Sequence, residues 1–135
     1  MSIEETILKS NKVVAIVGLS PNPDRPSHIV GKYLKENGYR IIPVNPAAEE
    51  VLGERSYPSL TAIPEKVDVV DIFRRSEEVP AIVEDAIKIG AKVVWMQEGV
   101  INEAAAERVR KAGLQVVMDR CMRKEHLKMM DKGQG

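Results

Sequence analysis

The sequence of 135 residues predicts an α/β fold with a mainly parallel five-stranded sheet and helices on both faces. Short apolar runs alternate with longer amphipathic segments, as expected when strands alternate with helices. The short runs are apolar throughout, which is typical of strands buried on both faces of a parallel sheet. Three junctions repeat one order, from a helix end through a glycine into an apolar strand: ENGYRIIPV, KIGAKVVWM and KAGLQVVMD. Right-handed crossovers then predict a doubly wound, Rossmann-like sheet, in a single domain over residues 1–135.

The first two elements are predicted from a capping pattern and an apolar run. Residues 3–9 are expected to form a helix, because Ser2 occupies the N-cap position and Glu5 follows at capping-box spacing. The run from Val13 to Val17 is β-branched, too short for a helix and bounded by Gly18. It is therefore predicted to be a central parallel strand.

The second helix and the second strand follow from start and stop signals. A helix is predicted over 27–37, with Ser27 as its N-cap. Gly38 suits the left-handed residue that often follows a helix end. Residues 39–44 form the next apolar run and are predicted to be a strand, and a helical turn is predicted over 47–52.

The third strand, the next long helix and the fourth strand follow in the same way. Residues 67–73, VDVVDIF, are predicted to be the third strand. Ser76 is expected to cap a helix over 77–89, because acidic residues follow it in the first turn, where the helix dipole favours them. Residues 91–96, AKVVWM, are predicted to be the fourth strand.

The last third of the chain adds one more strand and two helices. Asn102 is expected to cap a helix over 103–112, and residues 114–118 are the fifth predicted strand. A closing helix is predicted over 121–130. The final residues 131–135, DKGQG, are expected to be frayed.

Several charged residues outside the strand ends are expected to have structural roles only. Asp71 lies inside an apolar strand and needs a partner if it is buried, for which an arginine across the sheet is a candidate. Glu84, Asp85 and Lys88 are expected to form a solvated helix face. No catalytic residue is predicted among them.

The composition excludes several classes of function. Twenty basic and twenty acidic residues give a net charge of zero, so no global field attracts nucleic acid or an anionic membrane. The single Cys121 and the two histidines provide neither a disulfide framework nor enough ligands for a structural zinc site, and no metal is expected. The N-terminus lacks a long apolar stretch, so a cytoplasmic protein is expected.

The turn after the first strand is a candidate phosphate site. A strand that leads through a turn into a helix N-terminus places backbone N–H groups and a positive dipole end at one point. The candidate residues of this turn are Gly18, Leu19, Ser20, Asn22 and Arg25. An ordinary structural connection remains an alternative, since the three spaced glycines of a dinucleotide site are absent, but such connections usually have only about 2 to 6 residues.

The other strand ends supply further candidates, because parallel strands present their carboxyl ends at one edge of the sheet. These candidates are Val44, Asn45, Pro46, Phe73, Arg74, Arg75, Gln97, Glu98, Gly99, Asp119, Arg120 and Cys121. With Arg25 they include four arginines and two acids, which predicts a local anion site in a neutral protein.

The end of the second strand indicates which anion is favoured. Nicotinamide dinucleotide sites place an acidic residue there to bind the ribose hydroxyl, whereas this chain has Pro43-Val44-Asn45-Pro46. Two prolines would form a rigid apolar wall that suits an adenine ring. A plain turn out of the strand is an equally good interpretation of these four residues alone.

Together these segments resemble a known family. VAIVGLSPNPDRPS, PVNP, DVVDIFRR and AKVVWMQEGV are similar to segments of the small stand-alone CoA-binding proteins. The Rossmann-like domain of that family is similar to the CoA-binding domain of the succinyl-CoA synthetase α subunit and of NDP-forming acyl-CoA synthetases. The resemblance covers residues 7–130.

The resemblance implies which part of coenzyme A each strand end contacts. The turn after the first strand would line the phosphates, with Arg25 paired to one of them, and the second strand end would border the adenosine. The third would pass the pantetheine arm, and the fourth matches the TEG segment of the synthetases with Gln97 in place of threonine. The implied binding residues are Gly18, Leu19, Ser20, Asn22, Arg25, Val44, Asn45, Pro46, Ile72, Phe73, Arg74, Gln97, Glu98 and Gly99.

The resemblance implies binding of coenzyme A or an acyl-CoA and no catalysis. The synthetases also need a phosphohistidine domain and an ATP-grasp partner, and His28 and His126 are expected to be surface or packing residues. The alternatives are a nicotinamide-nucleotide oxidoreductase and a dissociated subunit of an acyl-CoA synthetase. Cys121, flanked by Arg120 and Arg123, is either a small buried residue or a partner for a mixed disulfide with the CoA thiol.

Overall fold

The computed structural model describes residues 1–134, and its main sheet confirms the predicted fold class. The strands are β1 Val13–Val17, β2 Arg40–Val44, β3 Glu50–Val51, β4 Glu54–Arg55, β5 Val69–Ile72, β6 Val93–Met96 and β7 Gln115–Val117. The α-helices are α1 Ile3–Ser10, α2 Pro26–Glu36, α3 Val79–Lys88, α4 Glu103–Lys111 and α5 Met122–Gln134. The five long strands are all parallel, in the order β2-β1-β5-β6-β7, and β3 pairs with β4 in a separate hairpin.

Each face of the sheet is covered by its own apolar cluster. On one face, Ile16 and Trp95 belong to a buried cluster with side chains from α1, α2 and α5. On the other face, Val70 and Val94 belong to a cluster with side chains from α3 and α4. The continuous apolar strands are explained by this double coverage, because both sides of each central strand are removed from water.

The strand order reverses between β1 and β5. The chain passes from β1 to the outer strand β2, and then returns to the other side of β1 to form β5, β6 and β7. Ligands of doubly wound sheets bind outside the carboxyl ends of the strands at such a reversal. A ligand is therefore expected at the segments that follow β1 and β5.

Helix α2 begins one residue earlier than predicted, and its cap differs. Arg25 is the N-cap, Pro26 is in the first turn, and no side chain caps the helix. A proline suits this position because it lacks an N–H that would have no helical partner. Ser27, predicted to be the cap, instead accepts a hydrogen bond from the Ser20 N–H at 3.0 Å.

The predicted helical turn over 47–52 is wrong, because the chain forms the β3–β4 hairpin there. Leu52 and Gly53 have positive φ angles of 54° and 75°, the backbone of a tight hairpin turn. Glu54 anchors the hairpin through Lys35 at 3.0 Å and Arg40 at 2.6 Å. These contacts reach residues far along the chain, which local helix signals do not reveal.

The boundaries of two later helices also differ from the prediction. Ser76–Glu78 forms a 3₁₀ turn before α3, and the Ser76 hydroxyl accepts a hydrogen bond from the Ile101 N–H at 3.0 Å instead of capping α3. Helix α5 continues to Gln134, so the predicted fraying is wrong up to that residue, and residue 135 lies outside the described part. An ion pair of 2.7 Å between Lys132 and Glu5 joins α5 to α1.

Asp71 lies fully buried in the middle of β5, and the arginine that was a candidate partner does not pair with it within residues 1–134. Its register neighbours are Ile16 and Trp95, both apolar and buried. Within residues 1–134, neither oxygen of its carboxyl group has a hydrogen-bond partner. Burial raises the pKa of Asp71 well above its usual value, which favours the neutral acid.

The helices of residues 1–134 include none that is long and apolar enough to cross a membrane.

Candidate functional site

The turn after β1 leaves no room for a side chain at Gly18. Gly18 has a φ of 91°, and a Cβ at this position would lie 2.7 Å from the Phe73 carbonyl oxygen and 2.9 Å from the Arg74 Cδ. The Gly18 N–H also donates to the Val44 carbonyl oxygen at 2.9 Å. Gly18 therefore brings the ends of β1, β2 and β5 into contact at the point where the strand order reverses.

The polar side chains of the turn bond to the turn itself. The Ser20 hydroxyl accepts from the Asn22 N–H at 3.1 Å, and the Asn22 Oδ1 accepts from the Asp24 N–H at 3.0 Å. Leu19 is fully buried in the core, so only its backbone faces the edge. Arg25 is exposed and makes no ion pair with any carboxylate of residues 1–134. The turn is thus a fixed backbone platform with one free cationic side chain.

A first cavity of about 480 Å³ lies between the ends of β1 and β2, the segment around 58–60, and α3. Most of its walls are apolar. Its lining residues are Val17, Gly18, Val44, Asn45, Pro46, Ala47, Pro58, Ser59, Leu60, Arg74, Glu78, Ala81, Ile82 and Asp85. The mostly apolar walls with a few polar groups among them suit a ligand group that is apolar with a polar edge.

A second cavity of about 450 Å³ lies over the ends of β5 and β6 and beside the first turn of α2. Its lining residues are Pro26, Val30, Phe73, Arg74, Arg75, Gln97, Glu98, Gly99, Val100 and Cys121. Apolar side chains from α2, β5 and the segment after β6 form much of this wall. The helix dipole of α2 also places a positive end beside it.

Arg74 is shared by the two cavities. Its side chain passes over Gly18, and its guanidinium donates to the Glu78 Oε1 at 2.7 Å. The Arg74 guanidinium is the main reason that the pKa of Glu78 lies below its usual value. Arg75 also contacts Glu78, at 3.3 Å from its Nε to Oε2. A cation is thus held at the junction of the cavities by a carboxylate that an incoming anion could replace.

Asn45 is committed to shaping the end of β2. Its amide nitrogen donates to the Leu19 carbonyl oxygen at 3.0 Å, and its Oδ1 accepts from the Ala47 N–H at 2.9 Å. Its backbone N–H donates to the Tyr57 carbonyl oxygen at 2.9 Å. These bonds hold the segment from Val44 to Pro46 in place, and the segment lines the first cavity.

The residues after β6 are also bonded to neighbouring elements. Gln97 is 3% exposed, and its Oε1 accepts from the Met122 N–H at 3.2 Å, so its amide supports the start of α5. Glu98 pairs with Lys124 at 2.8 Å. The Gly99 N–H donates to the Asp119 carboxylate at 2.8 Å. These contacts fix the floor and rim of the second cavity.

The structure brings together most of the predicted strand-end residues but not all four arginines. Arg74 and Arg75 line the second cavity, and Arg74 also lines the first. Arg25 lines neither cavity, and neither does Arg120, whose guanidinium donates to the Asp119 carbonyl oxygen at 2.8 Å. Of the other expected binding residues, Leu19, Ser20, Asn22 and the fully buried Ile72 lie outside both linings.

One wall of the first cavity was missed by the sequence prediction. Glu78, Ala81, Ile82 and Asp85 line it from the start of α3, at spacings that place them on one side of a helix. Asp85, which was assigned to a solvated face, lies on the cavity side, whereas Glu84 points to Arg108 at 2.8 Å. The sequence shows the helical spacing of these residues. It does not show which element this side of the helix faces.

The two histidines and the cysteine have distinct positions. Neither histidine lines either cavity, and the buried His126 contacts the Tyr33 hydroxyl at 2.6 Å. Burial lowers the pKa of His126 below its usual value. Cys121 is 8% exposed and lines the second cavity, next to the start of α5.

Comparisons with known proteins show which chains this one is similar to. A family model described as a CoA binding domain matches residues 12–127. The uncharacterized protein YneT of Bacillus subtilis is 43% identical over 120 residues, covering 89% of each chain. The structure of a hypothetical protein from Pyrococcus horikoshii superposes with a TM-score of 0.91 at 46% identity, covering 96% of this chain and 93% of the other.

A longer relative carries an enzyme name. An ADP-forming acetate–CoA ligase I of Archaeoglobus fulgidus is 29% identical over 121 residues, which are 82% of this chain. The match covers only 18% of the ligase. The chain thus resembles one portion of that enzyme.

Proposed function

Because this chain belongs to the CoA binding domain family, we propose that it binds coenzyme A or an acyl-CoA across the strand-order reversal of its sheet, without a reaction of its own. The observation that carries the proposal is the pair of cavities that meet at Arg74 over Gly18. Coenzyme A has a nucleotide end and a pantetheine end joined by a pyrophosphate. A ligand with two unlike ends and an anionic centre fits two cavities with a cation between them.

The first cavity suits the adenosine portion. Val44 and Pro46 form apolar walls against which a purine ring can pack, and Pro58 and Leu60 also line the cavity. The rigid backbone at Asn45 holds the first of these walls in place without any ligand. Little conformational freedom is therefore lost when the ring binds.

The junction suits the pyrophosphate. The guanidinium of Arg74 lies there, and Pro26 places the first turn of α2 beside the second cavity. The positive end of the α2 helix dipole favours an anion at this point. Arg25 is exposed just before α2, and we assign it to a phosphate of the ligand, which it reaches by moving its unpaired side chain.

The second cavity suits the pantetheine arm and its thiol or thioester. Apolar contacts come from Phe73, Val30 and Val100. Gly99 has a φ of 84°, which lets the chain turn closely around the arm. Glu98 is already paired with Lys124, and no histidine lines the cavity. Glu98 is therefore not available as an unpaired carboxylate in this lining.

Isothermal titration of ligand-free protein with CoA tests the proposal, with NAD, NADP and ATP as competing ligands. We expect CoA to bind and the three others to compete weakly, because the end of β2 carries no acid for the ribose of NAD. A protein that binds a nicotinamide nucleotide and not CoA would contradict the proposal. Assays of the same protein with acetyl-CoA are expected to detect no turnover.

A further inference from the structure

The lining of the first cavity includes one cation, Arg74, and a carboxylate further along α3, Asp85. Arg74 lies just before α3 begins and is paired with Glu78 at 2.7 Å. Asp85 lies seven residues after Glu78 along the helical wall, which corresponds to a distance of about 10 Å along the axis. Between them the wall is formed by Ala81 and Ile82, a small and an apolar side chain.

The Asp85 carboxylate is available to a ligand. Asp85 is half-buried, and it makes no side-chain hydrogen bond or ion pair with other residues of 1–134. Its neighbour Glu84 is exposed and binds Arg108 through both carboxylate oxygens, at 2.8 and 3.0 Å. A carboxylate that lines a largely apolar cavity without a partner can accept a hydrogen bond from whatever polar group enters.

Electrostatics decides which end of a nucleotide lies near Asp85. Phosphates are attracted to Arg74 and repelled by the Asp85 carboxylate, so the phosphate end belongs beside Arg74. The base then extends along the helical wall toward Asp85. An ionised carboxylate can only accept hydrogen bonds, and among the groups on a purine edge an exocyclic amine is a suitable donor.

We propose that Asp85 is a specificity residue that selects a base carrying an exocyclic amino group, by accepting a hydrogen bond from that group. This inference rests on the proposed function, in which the ligand is CoA and the base is adenine. A base without the amine would leave the half-buried carboxylate facing a ring nitrogen or a C–H group, with no donor to replace the water lost on binding.

Titration with CoA and with an analogue whose base is unsubstituted purine tests this role. We expect the unmodified protein to prefer CoA by about tenfold, the size of one hydrogen bond to a charged group. Asp85→Ala should reduce the preference to about twofold or less, since no acceptor remains, while binding of the purine analogue changes little. Asp85→Asn, which keeps a neutral acceptor, should give an intermediate preference.

The matched control is Glu84→Ala, which truncates a carboxylate one residue away that faces Arg108 and not the cavity. Glu84→Ala should keep the full preference for CoA over the purine analogue. Because alanine favours helices, Asp85→Ala is expected to fold, and its melting temperature checks this. Equal affinities of the unmodified protein for CoA and the analogue, or an unchanged preference in Asp85→Ala, would overturn the inference and leave CoA binding intact. Failure of both ligands to bind would overturn the proposed function itself.

Discussion

The β1–α2 turn and the β5–α3 connection meet at Gly18, and they are built in different ways. In the turn, Ser20 and Asn22 bond to the turn's own backbone, and the only arginine, Arg25, is unpaired and exposed. In the connection, Arg74 and Arg75 are paired with the acids that follow them. The turn therefore provides a fixed backbone surface. The connection provides arginines whose carboxylate partners a bound anion must replace.

The largest expected effect comes from the point where the two regions touch. Gly18→Ala places a Cβ at 2.7 Å from the Phe73 carbonyl oxygen in a backbone with positive φ, so the regions must separate. We expect it to lower the free energy of unfolding by about 3 kcal/mol or more, and to weaken CoA binding. Denaturant unfolding and titration measure both effects.

Gly38→Ala is the matched control for this substitution. Gly38 has a φ of 90°, almost the same as Gly18, but no atom lies within 4 Å of a Cβ placed there. It should cost only about 1 to 2 kcal/mol, the cost of the left-handed backbone. Equal losses in the free energy of unfolding for the two variants would mean that the close approach at Gly18 contributes nothing to the cost of the substitution.

The next largest effect is expected at the shared cation. Arg74→Gln should weaken CoA binding about tenfold, because it removes a charged donor from the junction of the cavities. The control is Arg108→Gln, which changes an exposed arginine of α4 that pairs with Glu84 and lines neither cavity, and it should leave affinity unchanged. Titration that finds equal affinities for both variants would contradict the assignment of the phosphates to Arg74.

A smaller effect is expected at the free arginine of the turn. Arg25→Gln should weaken CoA binding about three- to fivefold, since an exposed, mobile cation contributes less than a held one. If Arg25 meets the 3′-phosphate, the loss should be smaller for dephospho-CoA, as measured by titration with both ligands. Equal losses would place Arg25 at the pyrophosphate instead.

The smallest effect has the opposite sign. Glu78→Gln should raise CoA affinity about two- to threefold, because it removes the carboxylate that competes with the ligand for Arg74. Glu77→Gln, at an exposed position 3.5 Å from Arg75, is the matched control and should change affinity less. A fall in affinity for Glu78→Gln would show that Glu78 positions Arg74 for the ligand.

The sequence predicted the sheet and the strand ends well, because these depend on local patterns. The apolar runs, the Asn102 cap and Gly38 all have local signals that the structure confirms. The β3–β4 hairpin and the interaction of Ser27 with Ser20 depend on contacts across the fold, and they were missed. Asp71 shows the same limit, since its apolar neighbours come from other strands.

The candidate site was predicted only in part, for a related reason. Val44 ends β2 and Gly99 lies in the segment that follows β6, so topology alone places them at the cavities. Asp85 lies on a helix, and the sequence does not reveal which loop its helix packs against. The predicted excess of arginines at the strand ends was also incomplete, because Glu78 was not counted among these residues and it pairs with Arg74 at 2.7 Å.

The central claim is that one ligand occupies both cavities across Gly18, and amide chemical-shift mapping tests it most directly. Labelled protein would be titrated with CoA, with adenosine 3′,5′-bisphosphate and with pantetheine. We expect the bisphosphate to shift amides near Val44 and Ala81, pantetheine to shift those near Gly99 and Val100, and CoA to shift both sets. Shifts from CoA confined to one cavity, or found elsewhere on the surface, would contradict the claim.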